Sequence, residues 1–260
     1  MTIGTAKPDP YILDSIPHHF INHISISAYY SAGMFEKELK AALENYFTTS
    51  DVAIVAGGTG LYLKALTEGF DEVPQADPAI MEELQHVFES EGIQRLQEML
   101  KELDPEYYQK SDINNPHRLL RALHVTLSAG KPYSSFLGKK KKSQLPFTII
   151  SVYLNPPRET LYQAINARVD LMMAAGLEKE VTDLMAYEHH QALQTVGYAE
   201  LFRYFKGEIT REKAVDLIKQ NSRRYAKRQI TWFKKFGQGQ SFTEPNNEAV
   251  LAYILEQMKN

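Results

Sequence analysis

Apolar positions along the chain follow two rhythms. Short runs of β-branched and aromatic residues predict strands, weakly at 19–24 and strongly at 52–56 and 147–154. Elsewhere the spacing is helical. Phe35, Leu39, Ala42, Leu43 and Tyr46 fall on one helical face that leads into the run at 52–56. Gly57 and Gly58 then make a turn, and a second helix is expected from Thr59 to about Glu68. Strand, glycine-rich turn and helix in that order are the local grammar of a parallel α/β sheet.

From Asp77 to about Ala129 the pattern is helical throughout. Asp77-Pro78 is a helix start, Ile80, Leu84, Val87 and Phe88 form one stripe, and Gly92 interrupts it. Leu96, Met99, Leu100 and Leu103 form another stripe, and a third helix begins near Pro116. These residues are expected to be an all-helical insertion, 77–142, in an α/β core made of 1–76 and 143–260. The lysine run from Lys139 to Lys142, between Gly138 and Ser143, is either a solvated linker or a phosphate contact. Beyond the strand at 147–154, helices are expected over 160–175 (closed by Gly176), 177–187 and, long and basic, 212–236. A polar turn from Gly237 and an amphipathic stretch at 249–258 complete the chain.

Composition narrows the class. In 260 residues, 29 Lys and Arg nearly balance 32 Asp and Glu, and 43% of positions are hydrophobic, which suits a packed core and excludes a disordered polyelectrolyte. At about 150 residues per domain, one or two domains are expected. The N-terminal residues lack an apolar signal core and no run is long enough to cross a bilayer, so a cytoplasmic protein is expected. With no cysteine in the chain, thiol nucleophiles, disulfides and cysteine-ligated metals are excluded.

Four stretches carry candidate chemistry. The first is the turn around Gly57, Gly58 and Thr59. Its glycines allow close backbone approach, and its threonine either presents a hydroxyl to a phosphate or merely caps the helix. The second is the helix start at Asn115-Pro116, where Arg118 and Arg121 share a face opposite Leu119 and Leu120. Paired arginines suit phosphates, though a solvated face is the plainer reading. The third is Arg168, in line with Leu161, Ile165 and Met172, an arginine expected on a buried face and therefore needing a carboxylate or a ligand. The fourth runs from Lys219 to Lys235, with seven cations and no Asp or Glu, interleaved with Tyr225, Trp232 and Phe233. Such a ridge suits a nucleic-acid backbone with stackable bases, unless it covers an acidic surface of its own protein. His18, His19 and His23 have the wrong spacing for a single-face zinc site, and neither His-Glu-x-x-His nor a distinctive carboxylate pair occurs.

Taken together, these segments resemble the bacterial tRNA dimethylallyltransferase (isopentenyl-tRNA transferase) family. The resemblance is carried by Ile-Gly-Thr-Ala-Lys-Pro at 3–8, Gly-Gly-Thr-Gly-Leu-Tyr-Leu-Lys-Ala-Leu at 57–66 and Asn-Pro-His-Arg-Leu-Leu-Arg-Ala-Leu at 115–123. It continues through Arg168 with Gly176-Leu177, Leu-Gln-Thr-Val-Gly-Tyr at 193–198, and Arg-Arg-Tyr-Ala-Lys-Arg-Gln-Ile-Thr-Trp-Phe at 223–233.

The resemblance implies a P-loop-type α/β core with an inserted helical domain. It also implies transfer of a dimethylallyl group, with Mg2+, from dimethylallyl diphosphate to the adenosine just 3′ of the anticodon, by a monomer that grips the anticodon stem-loop. Thr59 looks like the family's threonine near the reacting amine, and Arg168 like the arginine that helps bind the donor's diphosphate. Three stretches look like the tRNA grip: His117, Arg118, Leu119, Leu120 and Arg121; Gln194, Thr195, Val196, Gly197, Tyr198 and Ala199; and Lys227, Arg228, Gln229, Ile230, Thr231, Trp232, Phe233 and Lys234. Ahead of the segment matched at 3–8, the family carries a first strand, a Gly-Lys-Thr or Gly-Lys-Ser phosphate loop and an Asp-Ser pair holding the general base. These have no counterpart here, and Met81 stands where an arginine often touches tRNA. A truncated chain, inactive alone, is expected; the alternative is a tRNA-binding module without catalysis.

Overall fold

A computed structural model describes residues 1–28, 30–74, 77–138, 145–237, 239–244 and 246–259. The lysine run expected as a linker, 139–142, lies outside the described residues. The protein is mostly helical. In chain order come α1 (Pro10–Ser15), α2 (Ala32–Tyr46), α3 (Gly60–Glu68), α4 (Pro78–Glu91), α5 (Ile93–Leu103), α6 (Pro105–Lys110) and α7 (Pro116–Ala129). Then follow β1 (Val152–Leu154), α8 (Arg158–Ala174), α9 (Leu177–Thr182), α10 (Tyr198–Phe205), α11 (Arg211–Phe236), β2 (Gln240–Phe242) and α12 (Asn247–Gln257). Short 3-10 turns occur at Tyr133–Phe136, Met185–Tyr187 and Gln191–Leu193.

The expected parallel sheet is present but smaller than the sequence predicts. Among the described residues only β1 and β2 form strands, paired parallel with Val152 opposite Gln240 and Leu154 opposite Phe242. The runs at 19–24 and 52–56 are not strands, and of 147–154 only the last three residues are. A strand exists only through ladder hydrogen bonds to a neighbour, and apolar residues stay in it only if a face is covered. At 52–56 neither condition holds: Ile54 is 91% exposed, and Val52 and Val55 are more than 40% exposed. The helix expected over 177–187 also ends early, at Thr182, and the tail expected as a polar turn contains β2.

The chain divides into two compact units. The first takes in 1–34, 49–61 and 147–260. Its core joins Val169 of α8, Leu177 and Val181 of α9, Leu193, the α10 residues Tyr198, Leu201 and Phe202, and Ala214 and Ile218 of α11. Thr210 caps α11 by accepting the N–H of Lys213 at 3.2 Å, which fixes where this 26-residue helix begins.

The second unit takes in 35–48 and 62–146. Leu84, Leu96, Leu100, Leu119, Leu120, Ala122 and Leu123 meet in its core, where α4 and α5 pack on α7. Its helix starts follow the sequence. Asp77 accepts the N–H of Ala79, Asn115 accepts that of Arg118, and Pro78 and Pro116 fill the first helical turns. Asp104, 1% exposed, caps α6 through Tyr107 N–H and also accepts the backbone N–H and hydroxyl of Ser134, both at 2.7 Å.

Candidate functional site

The glycine turn and the basic helix form one site. Tyr225, Gln229 and Trp232 recur at helical spacing on α11, and all three reach the turn before α3. The Thr59 hydroxyl lies 3.3 Å from the Tyr225 phenol oxygen, and Gln229 Nε2 donates to the carbonyl of Gly58 at 2.9 Å. At Gly60 a side chain would run into the indole of Trp232, so a glycine is required for this approach. Thr59 is exposed, and among the described residues its hydroxyl meets Tyr225 and not the backbone of α3. That geometry differs from the simple capping role the sequence left open.

Adjoining this face of α11, and sharing Trp232 with it, lies a shallow, open depression lined by Arg224, Lys227, Arg228 and Lys235. The ridge is not neutralised by the protein's own acids beyond its first cation. Lys219 pairs with Asp170 at 2.6 Å, whereas Arg223 donates to the amide oxygen of Asn166 and Arg224 to that of Asn221. Arg228 rests over the Tyr225 ring at 5.5 Å and Lys235 over Phe236 at 5.1 Å. Among the described residues, Lys227, Arg228, Lys234 and Lys235 meet no carboxylate, and all four are exposed. Thr231 is exposed with its hydroxyl on the Lys227 carbonyl, Ile230 is half-buried, and Phe233 stacks on Tyr153 at 5.7 Å.

The stretch from Gln194 to Ala199 is held by two carboxylates that sequence reasoning did not single out. Glu200, 5% exposed, accepts the N–H of Gly197 at 2.8 Å and the side-chain N–H of Asn221 at 2.7 Å, tying the start of α10 to α11. The spacing of Gly197 and Glu200, a helix start with Glu at the third position, is a signal that could have found this contact. Glu180 accepts the Tyr198 hydroxyl at 2.5 Å and the N–H groups of Thr2, Ile3 and Gly4 at 2.7, 2.9 and 3.1 Å. Burial works to raise the Glu180 pKa, but these four hydrogen bonds outweigh it and hold the carboxyl below its usual range. Burial, and then the Glu180 carboxylate, push the Tyr198 phenol far above its ordinary value. Nothing in the spacing of Glu180 and Tyr198 along the chain announces this pair. Gln194 and Thr195 are exposed, Val196 and Ala199 are half-buried, and Gly197 and Tyr198 are buried.

Arg168 requires a correction. It is exposed, and the buried residue on that part of α8 is Val169. The carboxylate beside it, Asp170, is taken by Lys219, so the buried arginine–carboxylate pair, one of the two readings the sequence left open, does not form. The physical reason is the helix phase. Leu161, Ile165 and Met172 are only half-buried, and the core-facing stripe runs through Val169. Among the described residues, no hydrogen bond or ion pair engages the Arg168 guanidinium.

In the second unit, His117, Arg118 and Arg121 are exposed along the first turns of α7, while Leu119 and Leu120 lie in the core behind them. Burial raises the Tyr133 phenol above its ordinary value, and the Arg121 guanidinium beside it pulls the other way. Among the described residues, no helix is long and apolar enough to cross a membrane. Nor does any group of three or more His, Asp or Glu among them form a metal cage.

A family model described as IPP transferase matches residues 1–236. The chain is 47% identical to a tRNA dimethylallyltransferase of Christiangramia forsetii, covering 98% of this chain and 84% of the relative. It is 45% identical to that of Flavobacterium johnsoniae, covering 100% of this chain and 86% of the relative. Among solved structures it is similar to the full-length tRNA isopentenylpyrophosphate transferase of Bacillus halodurans, with TM-score 0.67 and 30% identity over 99% of this chain and 82% of that one. It is also similar to a eukaryotic dimethylallyltransferase acting on tRNA, with TM-score 0.72 and 26% identity over 92% of this chain and 63% of that one. With the family model spanning the glycine turn, the two carboxylate clamps and the basic helix alike, the chain belongs to the IPP transferase family, the tRNA dimethylallyltransferases.

Proposed function

We infer that this chain serves the reaction of its family: transfer of a dimethylallyl group from dimethylallyl diphosphate to N6 of the adenosine just 3′ of a tRNA anticodon, with release of diphosphate. The observation that carries this reading is the exposed, unneutralised set of Lys227, Arg228 and Lys234 on the same helix that holds the Thr59 turn through Tyr225 and Gln229. A cationic face suits an RNA backbone, and an anchored hydroxyl beside it suits the reacting groups.

In the reaction, the bond between the allylic carbon and the diphosphate oxygen breaks, and the electron pair leaves with diphosphate. The N6 lone pair forms the new carbon–nitrogen bond, and N6 then loses a proton. Positive charge on the allyl group and negative charge on the leaving group both grow in the transition state, so fixed donors aimed at the diphosphate lower the barrier. Thr59, oriented by Tyr225, is assigned to that region as the catalytic residue. Arg168, free of intramolecular partners among the described residues, is assigned to the donor's diphosphate. No residue of this chain is assigned as the base that takes the N6 proton. Mg2+ would neutralise diphosphate charge. The described residues offer it no cage of three or more carboxylates and histidines.

The tRNA grip is assigned to His117, Arg118 and Arg121 on the helical insertion, to Gln194 and Thr195 at the clamped loop, and to Lys227, Arg228, Thr231, Trp232 and Lys234. Leu119, Leu120, Val196, Gly197, Tyr198, Ala199, Gln229, Ile230 and Phe233 support those contacts by holding their backbone. The target adenosine must leave the anticodon-loop stack to reach the donor, and aromatic side chains such as Trp232 suit the unstacked bases. We place the protein in the cytoplasm as a monomer.

The test is product formation. A protein consisting of this chain behind the N-terminal segment of the Christiangramia forsetii relative is expected to form N6-dimethylallyladenosine in tRNA, detected by mass spectrometry of nucleosides. The 260-residue chain alone is expected to bind tRNA without turnover, because no Gly-x-x-x-x-Gly-Lys-Thr or -Ser loop occurs in it. No product from the fusion would contradict the assignment.

A further inference from the structure

The seam between α8 and α11 holds a cluster with no part in the transfer reaction. The two helices contact each other in rungs. At one rung Lys219 meets Asp170 at 2.6 Å, a neutral pair. One turn along, Arg223 meets Asn166 at 2.6 Å. That position has the reach for a carboxylate but carries an amide, which leaves the guanidinium charge uncompensated. At the next rung sits Tyr162, and here two cations converge. The guanidinium carbon of Arg223 lies 6.0 Å from the ring centroid and that of Arg158 5.1 Å from it, while Arg158 Nε donates to the Tyr162 hydroxyl at 3.1 Å. Among the described residues, neither arginine meets a carboxylate; Glu159, next in the chain, pairs with neither.

Two guanidiniums held against one ring repel each other unless an anion joins them. The ring compensates only in part, since a cation–π contact is worth less than an ion pair made with good geometry. Each guanidinium carries five N–H donors. Arg158 spends only Nε on Tyr162 and Arg223 only one terminal nitrogen on Asn166, so the forked ends that match a phosphate remain available. Arg223 is half-buried and positioned by Asn166, which makes it a fixed donor and not a free surface charge.

We propose that Arg158 and Arg223, aligned on Tyr162, form a binding site for phosphate oxygens separate from Arg168 and from the Lys227–Lys234 ridge. The chemistry is that of a phosphate monoanion or a pair of adjacent phosphates. Either an RNA backbone or a free diphosphate supplies it, and the choice of these two rests on the transferase reading.

Two probes distinguish the sources: a synthetic anticodon stem-loop RNA and inorganic diphosphate, each titrated into the purified 260-residue chain. The double variant Arg158→Gln/Arg223→Gln is expected to bind one of them at least tenfold more weakly. If the RNA is the ligand, the slope of log affinity against log salt also falls by about 1.4, for two cations at about 0.7 each on a single strand. If diphosphate is the ligand, RNA binding and its slope stay as they were. Arg158→Lys/Arg223→Lys keeps the charge but not the fork, so it retains the slope while losing affinity. Lys219→Gln, on the neutral rung, is expected to change neither. Should the double variant fail to fold, Arg158→Gln alone, an exposed position, carries the same comparison. Affinities for both probes within twofold of the unmodified protein would overturn the site while leaving the transferase reading intact. If the unmodified protein bound neither probe, both would fall.

Discussion

The Tyr198 hydroxyl donates to Glu180 Oε1 at 2.5 Å, and the same carboxylate gathers the N–H groups of Thr2, Ile3 and Gly4. A buried tyrosine, at 0% exposure, thereby ties the loop entering α10 to the first turn of the chain. Gly4 completes the arrangement, because a side chain there would collide with the Tyr198 ring.

This clamp makes stability depend on pH in a defined direction. The Glu180 pKa is depressed in the folded protein. Its contribution is therefore present above the ordinary glutamate value of about 4.3 and disappears as pH falls through the lower, folded value. The Tyr198 pKa is raised, so its contribution is complete below about 10 and disappears only as pH climbs beyond that. Urea unfolding between about pH 3 and 7 should show a steeper acid decline in the unmodified protein than in Glu180→Gln. Tyr198→Phe should cost roughly 1.5–3 kcal/mol near neutrality, the range for a hydrogen bond to a charged group. Equal acid limbs in the two proteins would contradict the clamp.

Gly60→Ala tests the approach of α11 to the glycine turn. On helix propensity alone the change would stabilise by roughly 0.5–1 kcal/mol. Here the added methyl meets the Trp232 indole, so a net destabilisation of about 1–3 kcal/mol is expected from overpacking. Trp232 is the only tryptophan in the chain, so its fluorescence reports the displacement directly. An unshifted emission spectrum with a raised melting temperature would count against this packing.

Two substitutions in the active fusion separate chemistry from donor binding. Thr59→Ala should lower kcat by roughly 10²-fold, the cost of one donor aimed at developing charge. Arg168→Ala should act mainly on the KM for dimethylallyl diphosphate. If Thr59→Ala left turnover intact and lowered only the melting temperature, the hydroxyl would be a structural contact to Tyr225 alone.

Most helices are legible in the sequence because their caps and stripes are local. Asp77-Pro78, Asn115-Pro116 and Gly176 mark ends within a few residues, and α4, α5 and α7 lie where the apolar periodicity sets them. The site residues Tyr225, Gln229 and Trp232 are likewise readable as one face of one helix. The sheet is legible only in part: β1 lies within the run at 147–154 and its pairing is parallel as expected, but the other runs form no strand among the described residues. The β-branched run at 52–56 says that a segment can pair, but whether a partner strand is present is a property of the whole fold, and Ile54 is left exposed. The exposure of Arg168 escapes the sequence for a related reason: a small change of helix phase moves the buried stripe to Val169. Glu180 and Arg223 find Tyr198 and Asn166 across 18 and 57 residues, distances at which no spacing rule operates.

On this reading α11 uses Lys227 and Arg228 to hold RNA and not to balance the protein's own acids. Titrating an anticodon stem-loop into the unmodified chain and into Lys227→Ala/Arg228→Ala at several salt concentrations tests it directly. The double variant should bind more weakly, and its slope of log affinity against log salt should flatten by roughly 1 to 1.5, at about 0.7 for each phosphate left without its cation. An unchanged slope would mean that these cations do not meet phosphates, and the assignment of the basic ridge to tRNA would be withdrawn.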